Sequence, residues 1–187
     1  MIQFRTLSFV LPLLAALFSC VNDMQVINRL IDTETEPDYI GENVEIVFSD
    51  SARLQMKMIA PLVKQYNTSS EPRDEYPDGL HVWFYEKNGD LKGEVTANWA
   101  KYDQTTEIWE AQSDVVLKNA EGHKLETEQL FWDTQKAVIY SEKYTKYTRT
   151  DGTIATGTTF TATQSFSKWA LKKGNATIVM NEDEDED

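Results

Sequence analysis

A pattern that recurs after 30 residues constrains this chain more than any other feature of its sequence. In the segment 97–152, a shift of 30 residues superimposes Asp103 on Asp133 and Gly122 on Gly152 without a gap. Bulky apolar positions coincide along the same segment. What recurs is a strand, a turn led by Asp, a second strand and a turn closed by Gly. This repeat predicts a series of antiparallel hairpins.

The positions of the turns set the register of these hairpins. With turns centred on 105–106 and 135–136, Tyr102 pairs with Trp109 and Trp132 pairs with Ile139. Side chains alternate between the two faces of a strand, so one face collects both bulky rings and small residues. We predict that this face lines a hollow, although the same residues could fill a closed sandwich core. Its ten predicted members are Ala100, Tyr102, Trp109, Ala111, Val115, Leu117, Leu130, Trp132, Ile139 and Tyr147.

Each copy of the repeat also contains a break in its alternation. The pattern of Val95 and Ala97 resumes at Ala100, after three residues instead of two, and the same skip separates Thr127 from Leu130. A β-bulge absorbs such a slip and bends the strand. We therefore predict one bulge in each of the two strands, and a sheet that curves. The same register pairs Ala100 with Ala111 and Leu130 with Ser141.

The composition favours an all-β protein and excludes several functions. The chain has 187 residues, of which 41% are hydrophobic, and Thr and aromatic residues, which favour strands, are plentiful. Its net charge is −13, and the acidic residues 182–187 are predicted to form a disordered tail. Without a basic stripe, the chain is a poor candidate for nucleic acid. The two His residues have no Cys partner within the predicted domain, so no metal site, cofactor or catalytic constellation is predicted.

The N-terminus has the pattern of a secretion signal. Arg5 precedes an apolar run of 12 residues at 7–18, which is too short to span a bilayer as a helix. The run ends beside Cys20, the only cysteine, and resembles a bacterial lipoprotein signal. We predict a signal peptide at 1–19 and acyl chains on Cys20 that hold the protein on a membrane. The alternative is an ordinary signal peptide followed by a chance cysteine.

The remaining patterns divide the mature chain into a tether and one domain. We predict a tether at residues 20–42, with a short helix around 26–30, and a folded domain at residues 43–181. Met56 and Met58 either fill its core or contact a flexible apolar ligand. Residues 65–79 are predicted to form a polar connection. Strands are predicted at 44–48, 54–58, 81–85, 156–163, 166–171 and 176–180, in addition to those of the repeat.

Dispersed motifs over residues 43–178 resemble the LptC family of periplasmic lipopolysaccharide-export components. Their order and spacing carry the resemblance. The motifs are Ala60-Pro61 ahead of Tyr66, Tyr76-Pro77-Asp78-Gly79, Ala97-x-x-Ala100-x-Tyr102, Asp114-Val115, Gly122-x-x-Leu125-x-Thr127-Glu128-x-Leu130-x-Trp132-Asp133 and Gly157.

The resemblance implies a fold and a function without catalysis. The implied fold is a V-shaped, open, jelly-roll-like trough of antiparallel strands. It would receive the acyl chains of lipopolysaccharide from an inner-membrane ABC transporter and pass them to an LptA-like bridge protein through edge-strand pairing. The chain would face the periplasm of a Gram-negative bacterium, with its lipid anchor in the inner membrane. The best-known relatives carry a transmembrane helix instead of this lipoprotein signal.

A second class of function is also compatible with the residues. The chain could be a structural or interaction lipoprotein of the cell envelope, with a closed β-sandwich and partners on its outer surface. An open apolar slot in the structure would favour transport, and a sealed core would favour this alternative.

Membrane anchoring should depend on Cys20. The Cys20→Ser variant has no thiol to acylate, so it should leave the membrane fraction and take up no labelled palmitate. A variant that stays in the membrane and is still labelled would contradict the predicted lipoprotein signal.

Overall fold

A computed structural model describes residues 36–164, 168–173 and 176–181, and this part of the chain forms antiparallel β-strands. No helix in it is long and apolar enough to cross a membrane. The predicted signal peptide, Cys20, the helix at 26–30 and the tail at 182–187 lie outside the described residues. The described strands are β1 (Tyr39–Asp50), β2 (Arg53–Tyr66), β3 (Arg73–Tyr76), β4 (Leu80–Tyr85), β5 (Leu91–Ala97), β6 (Trp99–Asp103), β7 (Ile108–Asn119), β8 (Lys124–Asp133), β9 (Val138–Ser141), β10 (Thr145–Thr148), β11 (Ile154–Gly157), β12 (Thr159–Thr163), β13 (Lys168–Lys173) and β14 (Ala176–Asn181).

Three long strands bend and change partners along their length. Strand β7 pairs with β6 in its first half and with β5 in its second half. Strand β8 pairs first with β10 and then with β9, and β2 pairs first with β4 and then with β3. The sheet is therefore continuous but folds over on itself into two facing halves, which we call leaf A and leaf B. Leaf A contains β3, β6, β9, β12, β13 and β14, and leaf B contains β4, β5, β10 and β11.

The inner faces of the leaves carry rows of apolar side chains that run across the strands. The pairing Tyr102–Trp109–Trp132–Ile139–Ala162–Trp169 crosses leaf A. The pairing Ile46–Met58–Val82–Val95–Leu117–Leu125–Tyr147–Ala155 crosses leaf B from β1 to β11. Rings from opposite leaves meet, with Phe84 and Trp132 6.1 Å apart between centroids. These contacts place the two inner faces opposite each other.

The predicted register is confirmed for three pairs. Tyr102 pairs with Trp109, Ala100 with Ala111, and Trp132 with Ile139. The β8–β9 ladder begins at Phe131 and Tyr140, one step beyond the predicted pair of Leu130 and Ser141.

The predicted bulges are misplaced by one strand. The register shift lies in β7, where Ser113 and Asp114 both have positive φ and together oppose one residue of β8. The first skip is instead a strand break at Asn98, whose N–H donates to the carbonyl of Ser113 and whose Nδ2 donates to Asp114. The second skip is a bend within β8, which stays unbroken. Sequence alternation reports the bend but not which strand holds the extra residue.

The structure extends the 30-residue repeat to a third copy. Strands end at Asp103, Asp133 and Thr163, and the strands that follow begin at residues 108, 138 and 168. At the tips, the N–H of Gln104, Thr134 and Gln164 donates to the carbonyl of Pro72, Glu107 and Ala137 respectively. Each tip is thus tied to the preceding one, which stacks the hairpins in register.

The two aspartates of the repeat are turn residues, as expected from their position. Asp103 Oδ1 accepts the backbone N–H of Thr105 at 2.9 Å and of Thr106 at 2.8 Å. Asp133 Oδ1 accepts the N–H of Lys136 at 2.8 Å. These bonds satisfy backbone donors that the tight turn would otherwise leave unpaired.

Two boundaries differ from the prediction near the start of the domain. Strand β1 begins at Tyr39, within the predicted tether, because residues 39–42 pair with β2. Asp38 also accepts hydrogen bonds from the backbone of Asn67 and Thr68, which fixes the start of the strand. The predicted polar connection at 65–79 is wrong, since it contains β3. The polar residues Arg73–Glu75 did not indicate a strand, because a strand of four residues is too short to show an alternating pattern.

Gly79 should be less tolerant of a side chain than Gly89. Both have positive φ, so Ala at either position should cost about 1–2 kcal/mol. A Cβ on Gly79 would also overlap the carbonyl oxygen of Ala97 at the bend, whereas Gly89 has open space around it. Gly79→Ala should therefore lower the free energy of unfolding by about 1–3 kcal/mol more than Gly89→Ala. Chemical denaturation of the two purified variants checks this, and equal losses would contradict it.

Candidate functional site

A large apolar cavity lies between the two leaves. Its volume is about 1200 Å³. Ligand pockets for drug-sized molecules occupy about 300–1000 Å³, so this cavity exceeds what one such molecule fills. Hydrophobic and aromatic side chains from both inner faces dominate its wall.

Eight of the ten residues predicted to line a hollow do line this cavity. Leaf A supplies most of them, including the two large rings on the paired strands β7 and β8. The eight are Ala100, Tyr102, Trp109, Ala111, Leu117, Leu130, Trp132 and Ile139. Their position is a geometric result, and their role in binding a ligand stays a prediction.

Val115 and Tyr147 do not line the cavity. Val115 is 0% exposed and belongs to the same core cluster as Phe160, so it has no surface to offer a ligand. Tyr147 is 9% exposed, and its ring lies 4.4 Å from that of Trp169 on leaf A. The alternation placed both residues on the correct face. It carried no information on which part of that face the opposite leaf covers.

Leaf B contributes a second wall, which the repeat in the sequence does not indicate. These residues belong to β1, β2, β4 and β5, outside the segment in which the repeat is visible. The strict alternation of β2 predicted an apolar face and left open whether Met56 and Met58 touch a ligand; in the structure both line the cavity. The apolar wall of leaf B and β1 contains Phe48, Met56, Met58, Leu80, Val82, Phe84 and Val95.

Stacked rings form one end of the leaf A wall. Trp109 stacks on Tyr102 with 4.8 Å between ring centroids and on Tyr76 with 5.7 Å. Burial, together with the nearby Asp74 carboxylate, raises the pKa of Tyr76 well above its ordinary value. Burial is also the largest cause that raises the pKa of Tyr102. Both phenols therefore stay neutral, so this end of the wall carries no charge.

Charged residues border the cavity but are paired with one another. Glu94 accepts a hydrogen bond from Lys118 Nζ at 2.9 Å and lies 2.8 Å from His81 Nε2. The hydrogen bond from Lys118 is the largest cause that lowers the pKa of Glu94, and His81 is the next. Because neighbours in a strand point to opposite faces, Glu94 beside the inward Val95 directs its carboxylate to the outer face. The cavity interior stays apolar.

Comparison with known families decides what kind of protein carries this cavity. The family model for LptC-related lipopolysaccharide-assembly proteins matches residues 9–178. The chain belongs to this family. LptC-related proteins are transport and binding components of the Gram-negative cell envelope, and the family is not an enzyme family. Comparison with curated proteins returns no match. The all-β fold with its antiparallel strands agrees with the LptC-like jelly roll.

The open and sealed parts of this LptC-related fold should respond differently to an added ring. Ala111 lines the cavity, so Ala111→Phe should lower the free energy of unfolding by less than about 1 kcal/mol, whereas an overpacked core loses about 1–3 kcal/mol. Ala162 is the matched control, since it lies on the same leaf, is 3% exposed and is not part of the cavity wall. Ala162→Phe should show the larger loss in chemical denaturation. Equal losses would mean that the cavity is closed in solution.

Proposed function

We propose that this protein binds the acyl chains of lipopolysaccharide in the cavity between its leaves and carries them along the export path. The cavity of about 1200 Å³ with its apolar wall is the observation that carries the proposal. The family gives the lipid class, since its members take part in lipopolysaccharide assembly. A structural lipoprotein with a closed sandwich would not contain a cavity of this size.

The chemistry of the wall suits acyl chains. Transfer of one methylene from water to an apolar site is worth about 0.8 kcal/mol, so affinity grows with the length of chain that enters. Met56 and Met58 are flexible and polarisable, and they adapt to chains of different shape. The rings of Trp109 and Trp132 give broad apolar contact on the opposite side. These contacts need no specific polar partner, which fits a protein that must release its ligand.

The edges of the sheet supply the proposed contacts with partners. Within the described residues, β1 pairs on one side only, with β2, and β14 pairs with β13. Strand β1 also exposes Tyr39, Ile40, Val47 and Phe48, each to more than half. An edge of this kind can add a strand from another protein. We propose that one edge meets the inner-membrane ABC transporter, which delivers the lipid, and the other meets an LptA-like bridge protein.

The membrane anchor completes the proposal. Acyl chains on Cys20 would hold the chain at the periplasmic side of the inner membrane, near the transporter. Residues between Cys20 and Asp38 would then serve as the tether, because Asp38 is hydrogen-bonded to Asn67 and Thr68 of the folded domain.

Photo-crosslinking to lipopolysaccharide tests the proposed ligand. A photoreactive amino acid at Trp132 should form an adduct with lipopolysaccharide, because this side chain lines the cavity. The same amino acid at Phe131 is the matched control, since Phe131 is the next residue of β8, points to the outer face and stacks on Tyr140 at 5.1 Å. Ala111→Phe, which fills part of the cavity, should weaken the adduct at Trp132.

Two results would contradict the proposed function. Equal adducts at Trp132 and Phe131 would mean that the lipid lies on the surface. A folded Ala111→Phe variant with an undiminished adduct at Trp132 would mean that the cavity is not the binding site.

A further inference from the structure

The space between the leaves is open toward β1 and sealed toward β13. Along the leaf B row, the cavity wall extends as far as Leu117. The next residues of that row are Leu125 and Tyr147, which are 2% and 9% exposed. Along the leaf A row the wall extends to Ile139, and the next position, Ala162, is 3% exposed, while Thr163 and Gln164 at the tip after β12 still line the cavity. Along these two rows, the cavity therefore has a boundary before Tyr147 of leaf B and before Ala162 of leaf A.

Three aromatic rings form this boundary. The Trp169 ring of leaf A lies 4.4 Å from the Tyr147 ring of leaf B, and 6.3 Å from that of Phe160. A void of about 10 Å³ remains beside them, which is close to the smallest volume that holds one water molecule. Leu117 and Asn119 line both this void and the large cavity. The void thus adjoins the cavity, and the three rings form part of its wall.

A polar contact joins the Tyr147 ring to its surroundings in the closed arrangement. The hydroxyl of Tyr147 lies 2.7 Å from His123 Nδ1, which joins the ring to the turn before β8. Strand β10, which carries Tyr147, has only four residues. On the same strand, Thr148 Oγ1 is buried without a hydrogen-bond partner among the described residues. An unsatisfied buried hydroxyl costs free energy in the closed state, although the backbone of β10 pairs with both β8 and β11.

We propose that Tyr147, Phe160 and Trp169 form an aromatic gate between the cavity and the C-terminal edge of the sheet. The proposal rests on the proposed function, because the ligand that passes the gate is an acyl chain. In the closed state the gate retains the chain in the cavity. Separation of Tyr147 from Trp169 joins the void to the cavity and opens the path toward β13 and β14. The gate residues therefore control onward transfer and leave initial binding unaffected.

Crosslinking from the two sides of the gate tests this inference. The full chain would carry a photoreactive amino acid at Ala111, in the cavity, or at Ala155, the partner of Tyr147 on β11 beyond the gate. The probe is purified lipopolysaccharide. A minor open state holds at most about 10% of the molecules, so the adduct at Ala155 should be about tenfold weaker than at Ala111. Trp169→Leu removes the opposing ring and should bring the adduct at Ala155 close to that at Ala111.

Two further variants keep the test decisive if Trp169→Leu folds poorly. Tyr147→Phe keeps the ring and loses the bond to His123, so the adduct at Ala155 should rise about two- to tenfold while that at Ala111 stays constant. Val115→Ala is the matched control, since it opens space in the same core cluster without removing any of the three rings. It should leave the adduct at Ala155 weak.

The outcomes separate the gate from the proposed function. Equal adducts at Ala111 and Ala155 in the unmodified background would overturn the gate. So would a folded Trp169→Leu or Tyr147→Phe variant whose adduct at Ala155 stays unchanged, because the rings would then be ordinary core. Absence of an adduct at Ala111 itself would overturn the proposed function, and the gate with it.

Discussion

The bending of long strands from one leaf into the other is the constraint on which the cavity depends. Because β2, β7 and β8 pair in both leaves, the leaves are joined by continuous backbone along the bends. Ladder hydrogen bonds satisfy the backbone within each leaf, so the leaves stay ordered even where side chains do not fill the space between them. At the bend of β7, Asn98 ties the break in the neighbouring strand to Ser113 and Asp114. A sandwich held together by side-chain packing alone could not leave this volume unfilled.

One end of the molecule forms a packed core, and the other end faces the cavity. Toward the C-terminus, Phe160, Trp169 and Leu171 are at most 4% exposed and pack into a complete core. Toward the N-terminus, a second cluster around Met58 and Val82 packs along β2 and β4, and its inner surface faces the cavity. Unfilled volume costs free energy of folding, because the lining atoms lose contacts. The sealed core offsets that cost, and lipid in the cavity would restore the missing contacts.

The sequence predicted the parts of the structure that depend on local pattern. The period of 30 residues located the hairpin tips, and alternation identified which side chains share the inner face, including Tyr102, Trp109 and Trp132. It could not predict which part of that face stays open, since this depends on residues far away in the chain. Tyr147 is the clearest case, because Trp169 covers it from the other leaf. The leaf B wall was missed for the same reason, and β3 was missed because four polar residues give no periodic signal.

Tryptophan fluorescence tests directly whether acyl chains lie between the leaves. Trp132 lines the cavity, whereas Trp83 stacks on His81 at 3.7 Å on the outer face of leaf B. Two variants would each retain one of these two residues as the sole tryptophan and would be titrated with lipopolysaccharide that carries a spin label on an acyl chain. The label should quench the emission of Trp132 and leave that of Trp83 nearly unchanged. Equal quenching of both residues, or quenching of Trp83 alone, would contradict the account.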